Sequence, residues 1–383
     1  MIAPGAWVGV LGGGQLGRMF AAAAQNHGYH VAILDPDPNC PASAFADEHV
    51  LAEYGDESAW RRFAERCVAV TTEFENVPAE ALRYLATRCF VAPRAEHVAT
   101  FQNRGEEKAA LTAAGLAVAP YKLIDSVDDL KGCEHLFPGI LKRIRWGYDG
   151  KGQARIKNAE ELQQAFESFV GPCVLEKLVP LAKELSVVVA RDRHGRVVTY
   201  PTAENHHVNG ILDTSLAPAR IGAELDAHAQ SLARQLVVHV DYVGVLCVEL
   251  FLLKDGSLLV NEIAPRPHNS GHYTLDACTT SQFEQQLNVL IDVPLGDTRL
   301  VRPAVMVNLL GDIWRDGEPD WELLFAAPHT RLHLYGKREA RLGRKMGHYT
   351  CLGDGNEAPL AQALRLKEAL FPQTQDTRQA VEG

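Results

Sequence analysis

Glu249 and Glu262 are the residues whose type and spacing point most directly to chemistry. They lie in two apolar, strand-like runs, residues 245–253 and 258–263, on either side of Lys254-Asp255-Gly256-Ser257. Asp-Gly is a favoured two-residue hairpin turn. With Asp255 and Gly256 as that turn, cross-strand partners have numbers summing to 511, as 249 and 262 do. Opposed side chains on one sheet face have Cβ atoms about 4.5–5.5 Å apart, so two carboxylates there repel unless something neutralises them. Phe251, Leu253, Leu258 and Val260 are expected on the same face, where solvent screens poorly. A divalent cation is the natural neutraliser. Oxygen-only ligation by one or two carboxylates suits Mg2+, which completes its shell with water and phosphate oxygens. The plainer alternative is a pair of surface acids, or acids paired with lysine.

Other residues could serve the same chemistry. After Glu262 the chain reads Ile263-Ala264-Pro265-Arg266-Pro267-His268-Asn269-Ser270-Gly271-His272, where two prolines stiffen a backbone bearing donors suited to an oxyanion. The alternative is that these donors satisfy loop carbonyls. Lys142 precedes Gly147-Tyr148-Asp149-Gly150-Lys151-Gly152, a glycine-rich loop able to bring N–H groups and charge to a polyphosphate, although its spacing is not that of a Walker A loop. It also reads as an ordinary turn. Lys337, Arg338, Arg341, Arg344 and Lys345 crowd into nine residues with Gly343 and Gly347 nearby, fitting either a phosphate monoester or a solvated hairpin. Gly12, Gly14 and Gly17 satisfy GxGxxG, with Asp35 eighteen residues beyond Gly17. A dinucleotide, a tight strand-to-helix turn, or a helix terminus holding some other anion explains them, and the acidic pair and donor loop favour the latter two.

These residues need a scaffold of strands and helices. The first ~100 residues alternate as βαβ units do, with strands at 8–11, 31–34, 68–72 and 90–92 and a helix over 16–27. An alanine-rich helix over 106–114 ends at Gly115, and a domain boundary falls near there. Beyond it come a strand at 140–142, a helix at 159–169, a strand at 173–177, the acidic hairpin and a helix near 282–291. The last dozen residues are polar and unpatterned. A chain of 383 residues has room for two or three domains. The formal charge of −10 supplies no broad positive field for nucleic acid or an anionic membrane. The N-terminus lacks a signal-peptide pattern, no apolar stretch reaches the ~20 residues of a membrane span, and eight dispersed cysteines form no CxxC pair. A cytoplasmic protein with reduced, mostly buried cysteines is expected.

Five strings carry a family resemblance: residues 12–19 (GGGQLGRM), 72–77 (TEFENV), 147–153 (GYDGKGQ), 261–274 (NEIAPRPHNSGHYT) and 343–348 (GRKMGH). Together they resemble the ATP-grasp superfamily and, within it, the 5-(carboxyamino)imidazole ribonucleotide synthetase family. The resemblance implies an ATP-grasp fold of mixed α/β and α+β class. Its parts would be an N-terminal open parallel-sheet, Rossmann-like domain over 1–105, a small central lid domain over 106–182 and a larger C-terminal α+β domain over 183–383. It implies carboxylation of aminoimidazole ribonucleotide by ATP and bicarbonate through carboxyphosphate, with Mg2+, in a cytoplasmic homodimer that hands its product to a carboxyaminoimidazole ribonucleotide mutase.

Carried over by motif, ATP would be held by Arg104, Lys142, Gly147, Tyr148, Asp149, Gly150, Lys151, Gly152, Gln153, Glu176, Lys177, Leu178, Val179, Glu184, His207, Asn261 and Glu262. Arg266, His268 and Asn269 would surround bicarbonate as catalytic residues, and Glu249 and Glu262 would hold the metal. Glu73, Tyr148, Asp149, Lys151, Lys337, Arg344 and Lys345 would bind the ribonucleotide. Trp146 stands where the family has a glycine. The alternatives are another ATP-grasp enzyme, biotin carboxylase-like or formyltransferase-like, a nicotinamide-dependent dehydrogenase, and a non-catalytic nucleotide-binding regulator, for which Glu249 and Glu262 would be surplus.

Overall fold

The computed structural model describes residues 1–145, 147 and 152–371 and builds three sheets. The first is five-stranded and parallel, in the order Glu48–Val50, His30–Leu34, Trp7–Leu11, Ala69–Thr72, Phe90–Val91. Its central strands are continuous apolar runs because helices cover both faces, as parallel sheets require. The edge strand Glu48–Val50 has no apolar run and was not foreseen. Gln15–Asn26 packs on one face and Glu57–Arg66 with Ala79–Ala86 on the other.

The second sheet is small and antiparallel, ordered Tyr121–Ile124, Cys173–Lys177, Gly139–Arg143, Gln153–Ile156. Helix Ala159–Phe169 closes it over a core of Ile124, Leu136, Leu141, Ile156, Leu162 and Leu175. The third sheet has nine strands, with Leu258–Ala264 at one edge beside Gly244–Leu253, then Leu181–Arg191, Ala203–Val208, Ile211–Ala217, Ala304–Leu310, Lys345–Leu352 and Thr330–Leu334, and Val197–Thr199 paired to Leu181–Arg191 off that path.

Two helices tie the sheets together. Arg104–Ala113, which the sequence puts at a boundary, buries Leu111 among Val260, Ile263 and Leu250 of the large sheet. Gln282–Ile291 packs Phe283, Leu287 and Leu290 against the first helix, and Gln286 Nε2 donates to Thr71 Oγ1 of the first sheet. Among the described residues no helix is long and apolar enough to cross a membrane. All eight cysteines are free thiols.

Candidate active site

The acidic hairpin opposes Glu249 to Glu262, by a route that differs from the expected one. Leu253 N–H donates to Ser257 O and Leu252 pairs with Leu258, so the turn contains three residues rather than two. That register would bring residue 261 opposite Glu249. A bulge between Leu250 and Glu249 absorbs Asn261 and restores the facing of the two glutamates. The shift also corrects the expected face: Leu258 and Val260 join Leu250, Leu252 and Ile263 in the core on the other side, and Leu259 with Phe251 continues the glutamate face. Asn261, within the bulge, has a buried Oδ1 with no hydrogen-bond partner.

Both carboxylates open into a cavity of about 960 Å³ lined from all three sheets. Arg104, Lys142, Gly152, Gln153, Glu184, His207, Glu249, Asn261, Glu262, Arg266, His268 and Asn269 line it, as do Glu73, Lys337, Arg344 and Lys345. Gly147 adjoins through its carbonyl, 3.5 Å from Arg104 Nη2. Among the described residues, Glu176, Lys177, Leu178 and Val179 do not line the cavity. Glu176 is buried behind Lys142, and the Lys177 and Leu178 N–H groups donate to Pro120 O and Pro138 O. Arg338 is exposed and also outside the lining, whereas Arg341 belongs to it. Trp146, Tyr148, Asp149, Gly150 and Lys151 lie outside the described residues, as do residues 372–383.

The charges in the site are paired. Arg104 Nη1 is 3.0 Å from Glu262 Oε2, Lys142 Nζ and Lys108 Nζ reach Glu176 at 3.0 and 3.1 Å, and Arg266 pairs with Glu75. His268 Nε2 is 3.1 Å from Glu249 Oε1, and His207 pairs with Glu184. Burial opposes the charged form of His268, but the Cys247 sulfur and the Glu249 carboxylate hold its pKa above the ordinary histidine value. Burial would raise Glu249, yet His268 and then His207 hold it well below the usual carboxylate range. In His207 burial is likewise outweighed by Glu184, and its pKa is raised.

Neutral contacts set the donor loop. The His268 N–H donates to Gln282 Oε1 at 2.9 Å and its carbonyl accepts from Gln282 Nε2 at 2.8 Å, clamping the loop to a helix start. Asn269 and Asn308 exchange amide hydrogen bonds of 3.0 and 2.7 Å. The sequence reading overlooked Gln282, Asn308, Glu75, Glu107 and Lys108. Of these only Glu75 carried a signal, as part of TEFENV. The others act across long stretches of chain that periodicity does not connect.

At the opening glycines an internal anion fills the helix start. Glu73 accepts from Gly14 N–H at 2.8 Å and Gly17 N–H at 3.1 Å, while Asp35 accepts from Gly13 N–H at 2.6 Å and Tyr54 Oη at 2.5 Å. The basic run is braced by Lys337 Nζ donating to Lys345 O at 2.7 Å and Arg344 Nη1 to Glu339 O at 3.0 Å. Behind it lie Asp276, His333 and His348, whose ligand atoms fall within 4.8 Å of one another. The His333 and His348 rings stack at 4.6 Å and 14°, so their in-plane lone pairs do not converge on one point and the group is a packed support.

Three family models cover most of the chain: the ribonucleotide synthetase preATP-grasp domain over 6–102, the ATP-grasp domain over 109–283 and the phosphoribosylaminoimidazole carboxylase C-terminal domain over 304–362. The N5-carboxyaminoimidazole ribonucleotide synthase of Bacillus subtilis is 46% identical over 353 residues, covering 91% of this chain and 92% of that one. The chain belongs to the N5-carboxyaminoimidazole ribonucleotide synthase family of ATP-grasp ligases. Among solved members, an ADP complex of an N5-carboxyaminoimidazole ribonucleotide synthetase matches with TM-score 0.90 at 42% identity, over 96% of this chain and 97% of that one. The Aspergillus clavatus enzyme in complex with ADP and 5-aminoimidazole ribonucleotide matches with TM-score 0.88 at 33% identity, over 96% and 98%. The ATP-grasp fold, with its N-terminal parallel-sheet domain, is thus the architecture of the family.

Proposed function

We propose that the chain uses ATP and bicarbonate to carboxylate the exocyclic amine of 5-aminoimidazole ribonucleotide, giving N5-carboxyaminoimidazole ribonucleotide, ADP and phosphate. The observation that carries this reading is the pair Glu249 and Glu262, opposed beside the unpartnered Asn261 oxygen in one cavity with Arg104, Lys142, Arg266 and His268. Three hard oxygen donors fit Mg2+. When bound there, Mg2+ supplies neutralisation of charge on nucleotide phosphate oxygens.

Bicarbonate is a poor electrophile, and phosphorylation replaces a hydroxide leaving group by phosphate. Phosphoryl transfer asks chiefly for in-line positioning and charge neutralisation. Arg104 and Lys142 meet the nucleotide, with Gly147, Gly152 and Gln153 on the covering loop and Glu184 with His207 at the ribose. Of the segment 176–179, whose Lys177 and Leu178 N–H groups are taken by the Pro120 and Pro138 carbonyls, the Val179 N–H is left to meet the adenine. Arg266, held by Glu75, and Asn269, held by Asn308, orient the anionic carboxyl group, and the released phosphate takes the amine proton, since His268 is held protonated against Glu249. Glu73, Lys337, Arg344 and Lys345 take the ribonucleotide. Closure before carboxyphosphate forms keeps water from a fragile mixed anhydride. The family resemblance supports a cytoplasmic homodimer and hand-off to a mutase.

The test is ADP release with ATP and bicarbonate, with and without aminoimidazole ribonucleotide. The full rate should require the ribonucleotide, and ADP release indifferent to both co-substrates would overturn the reading. Glu262→Gln should remain folded and nearly inactive. Retention of more than about a tenth of the rate, a loss under ~1.4 kcal/mol, contradicts the metal role.

A further inference from the structure

The strand Leu258–Ala264 is the outer edge of the large sheet, so one side of its backbone lacks a strand partner. Two of its N–H groups on that side are nonetheless taken. Val260 N–H donates to Ala117 O at 2.8 Å, and Ile263 N–H donates to Glu107 Oε1 at 2.7 Å. Asn261 and Glu262, the bulged residues, lie between these two anchors.

A bulge is a local choice of register, and side chains of a strand alternate faces. Nothing in the hairpin itself prevents the extra residue from sitting one place further along, which would present a different side chain opposite Glu249. The anchor on Ile263 fixes the downstream limit of the bulge. It comes from a buried carboxylate in the first turn of helix Arg104–Ala113, and the same turn supplies Arg104 to the Glu262 side chain at 3.0 Å. Lys108, 1% exposed, runs from that turn to Glu176 at 3.1 Å and ties it to the small sheet. One helical turn therefore grips the backbone and the side chain at the proposed metal-bearing position.

We propose that Glu107 is a positioning residue for Glu262: by accepting the Ile263 N–H it fixes the bulge that aims the Glu262 carboxylate at the cation carried by the nucleotide. The inference rests on the reading of Glu249 and Glu262 given above and adds a residue that never touches the ligand. It requires the carboxylate for its reach and its acceptor oxygen, so an amide of equal length replaces it and a shorter one does not.

The experiment measures Mn2+ binding in the presence of ADP by electron paramagnetic resonance, without turnover, on the full chain. Glu107→Asn, one methylene too short to reach Ile263, should weaken Mn2+ binding by about threefold to tenfold, as losing one buried hydrogen bond would. Glu107→Gln should stay within about twofold of the unaltered protein, since its amide oxygen accepts the same N–H. In ADP-release assays the Asn variant should shift the half-saturating Mg2+ concentration by a similar factor, leaving that for the ribonucleotide unchanged. An Asn variant that binds Mn2+ normally, or a Gln variant as weak as Asn, overturns the positioning role. Glu262→Gln, measured alongside, separates the two claims: unchanged Mn2+ binding there removes the metal reading itself, whereas weak binding there with normal binding in Glu107→Asn removes only Glu107.

Discussion

Glu73 shows how one residue can change the meaning of a motif. Its carboxylate accepts the Gly14 and Gly17 N–H groups at the start of helix Gln15–Asn26, the niche in which a dinucleotide pyrophosphate would otherwise lie. Gly14 is required by proximity: a Cβ there would stand 2.4 Å from Glu73 Oε1. Burial pushes the Glu73 carboxyl above its ordinary pKa, and the two N–H groups pull it back only in part. Glu73→Ala should lower stability by about 1 kcal/mol, as losing a helix cap does. Gly14→Ala should cost about as much by displacing the same carboxylate. Because both act on one contact, the double variant should be little worse than the poorer single one in urea unfolding. Additive losses would mean that the two residues do not act through each other. The GxGxxG spacing is legible in the sequence, but the anion it serves lies 59 residues away.

The acidic hairpin marks where local pattern runs out. Long apolar runs and helical periodicity are readable, and helices at Ala159–Phe169 and Gln282–Ile291 and the strand Cys173–Lys177 fall where the pattern puts them. The opposition of Glu249 and Glu262 was readable too, although for an incomplete reason. Asp-Gly suggested a two-residue turn, whereas a three-residue turn and a bulge arrive at the same pairing and move Leu258 and Val260 to the core. The bulge shows in the chain only as a break in alternation, core positions 258 and 260 being followed by 263, and the apolar residue 259 between them hides it. The turn still needs glycine at Gly256, where φ is +88° and nothing crowds a Cβ. Gly256→Ala should therefore cost about 1 kcal/mol through backbone strain alone, read as a lower urea midpoint. Its half-saturating Mg2+ concentration should not move, since Arg104 and Glu107 hold the far end of the strand. A raised Mg2+ requirement would show that the turn, rather than the helix, sets the carboxylate.

At the scale of the whole molecule, the cavity exists because three sheets converge, and charged and amide side chains join the apolar packing of helices Arg104–Ala113 and Gln282–Ile291 in crossing between them. Arg266 pairs with Glu75 just beyond the first sheet, Gln286 joins helix Gln282–Ile291 to Thr71 of that sheet, and Glu176 with Lys108 joins the second sheet to the helix beneath the hairpin. Under the proposed basic subsite the support is made of buried histidines. His272 and His348 are fully buried, each with an unpartnered Nε2, and burial drives both pKa values well below the ordinary histidine value. The folded protein therefore keeps them neutral where the unfolded chain binds protons. By linkage, stability rises with pH up to the unfolded histidine value near 6.5 and is lost as pH falls below it. His207 and His268, whose pKa values are raised, have the opposite sign: they contribute fully below about 6.5 and add no slope there. Carboxylates with depressed values matter only below about 4.5, whereas the Glu107 and Glu73 carboxyls, raised chiefly by burial, oppose the histidines because their contribution falls as pH rises above about 4.5. Between about pH 5 and 6 the two buried histidines contribute up to ~2.7 kcal/mol per pH unit to the slope, with His97, also lowered by burial, adding to it and Glu107 offsetting part of it. His348→Gln should remove up to ~1.4 kcal/mol per unit from that slope, whatever it does to stability at pH 8. Urea unfolding across this range checks it, and a slope unaltered by His348→Gln would mean that the ring is already protonated in the fold.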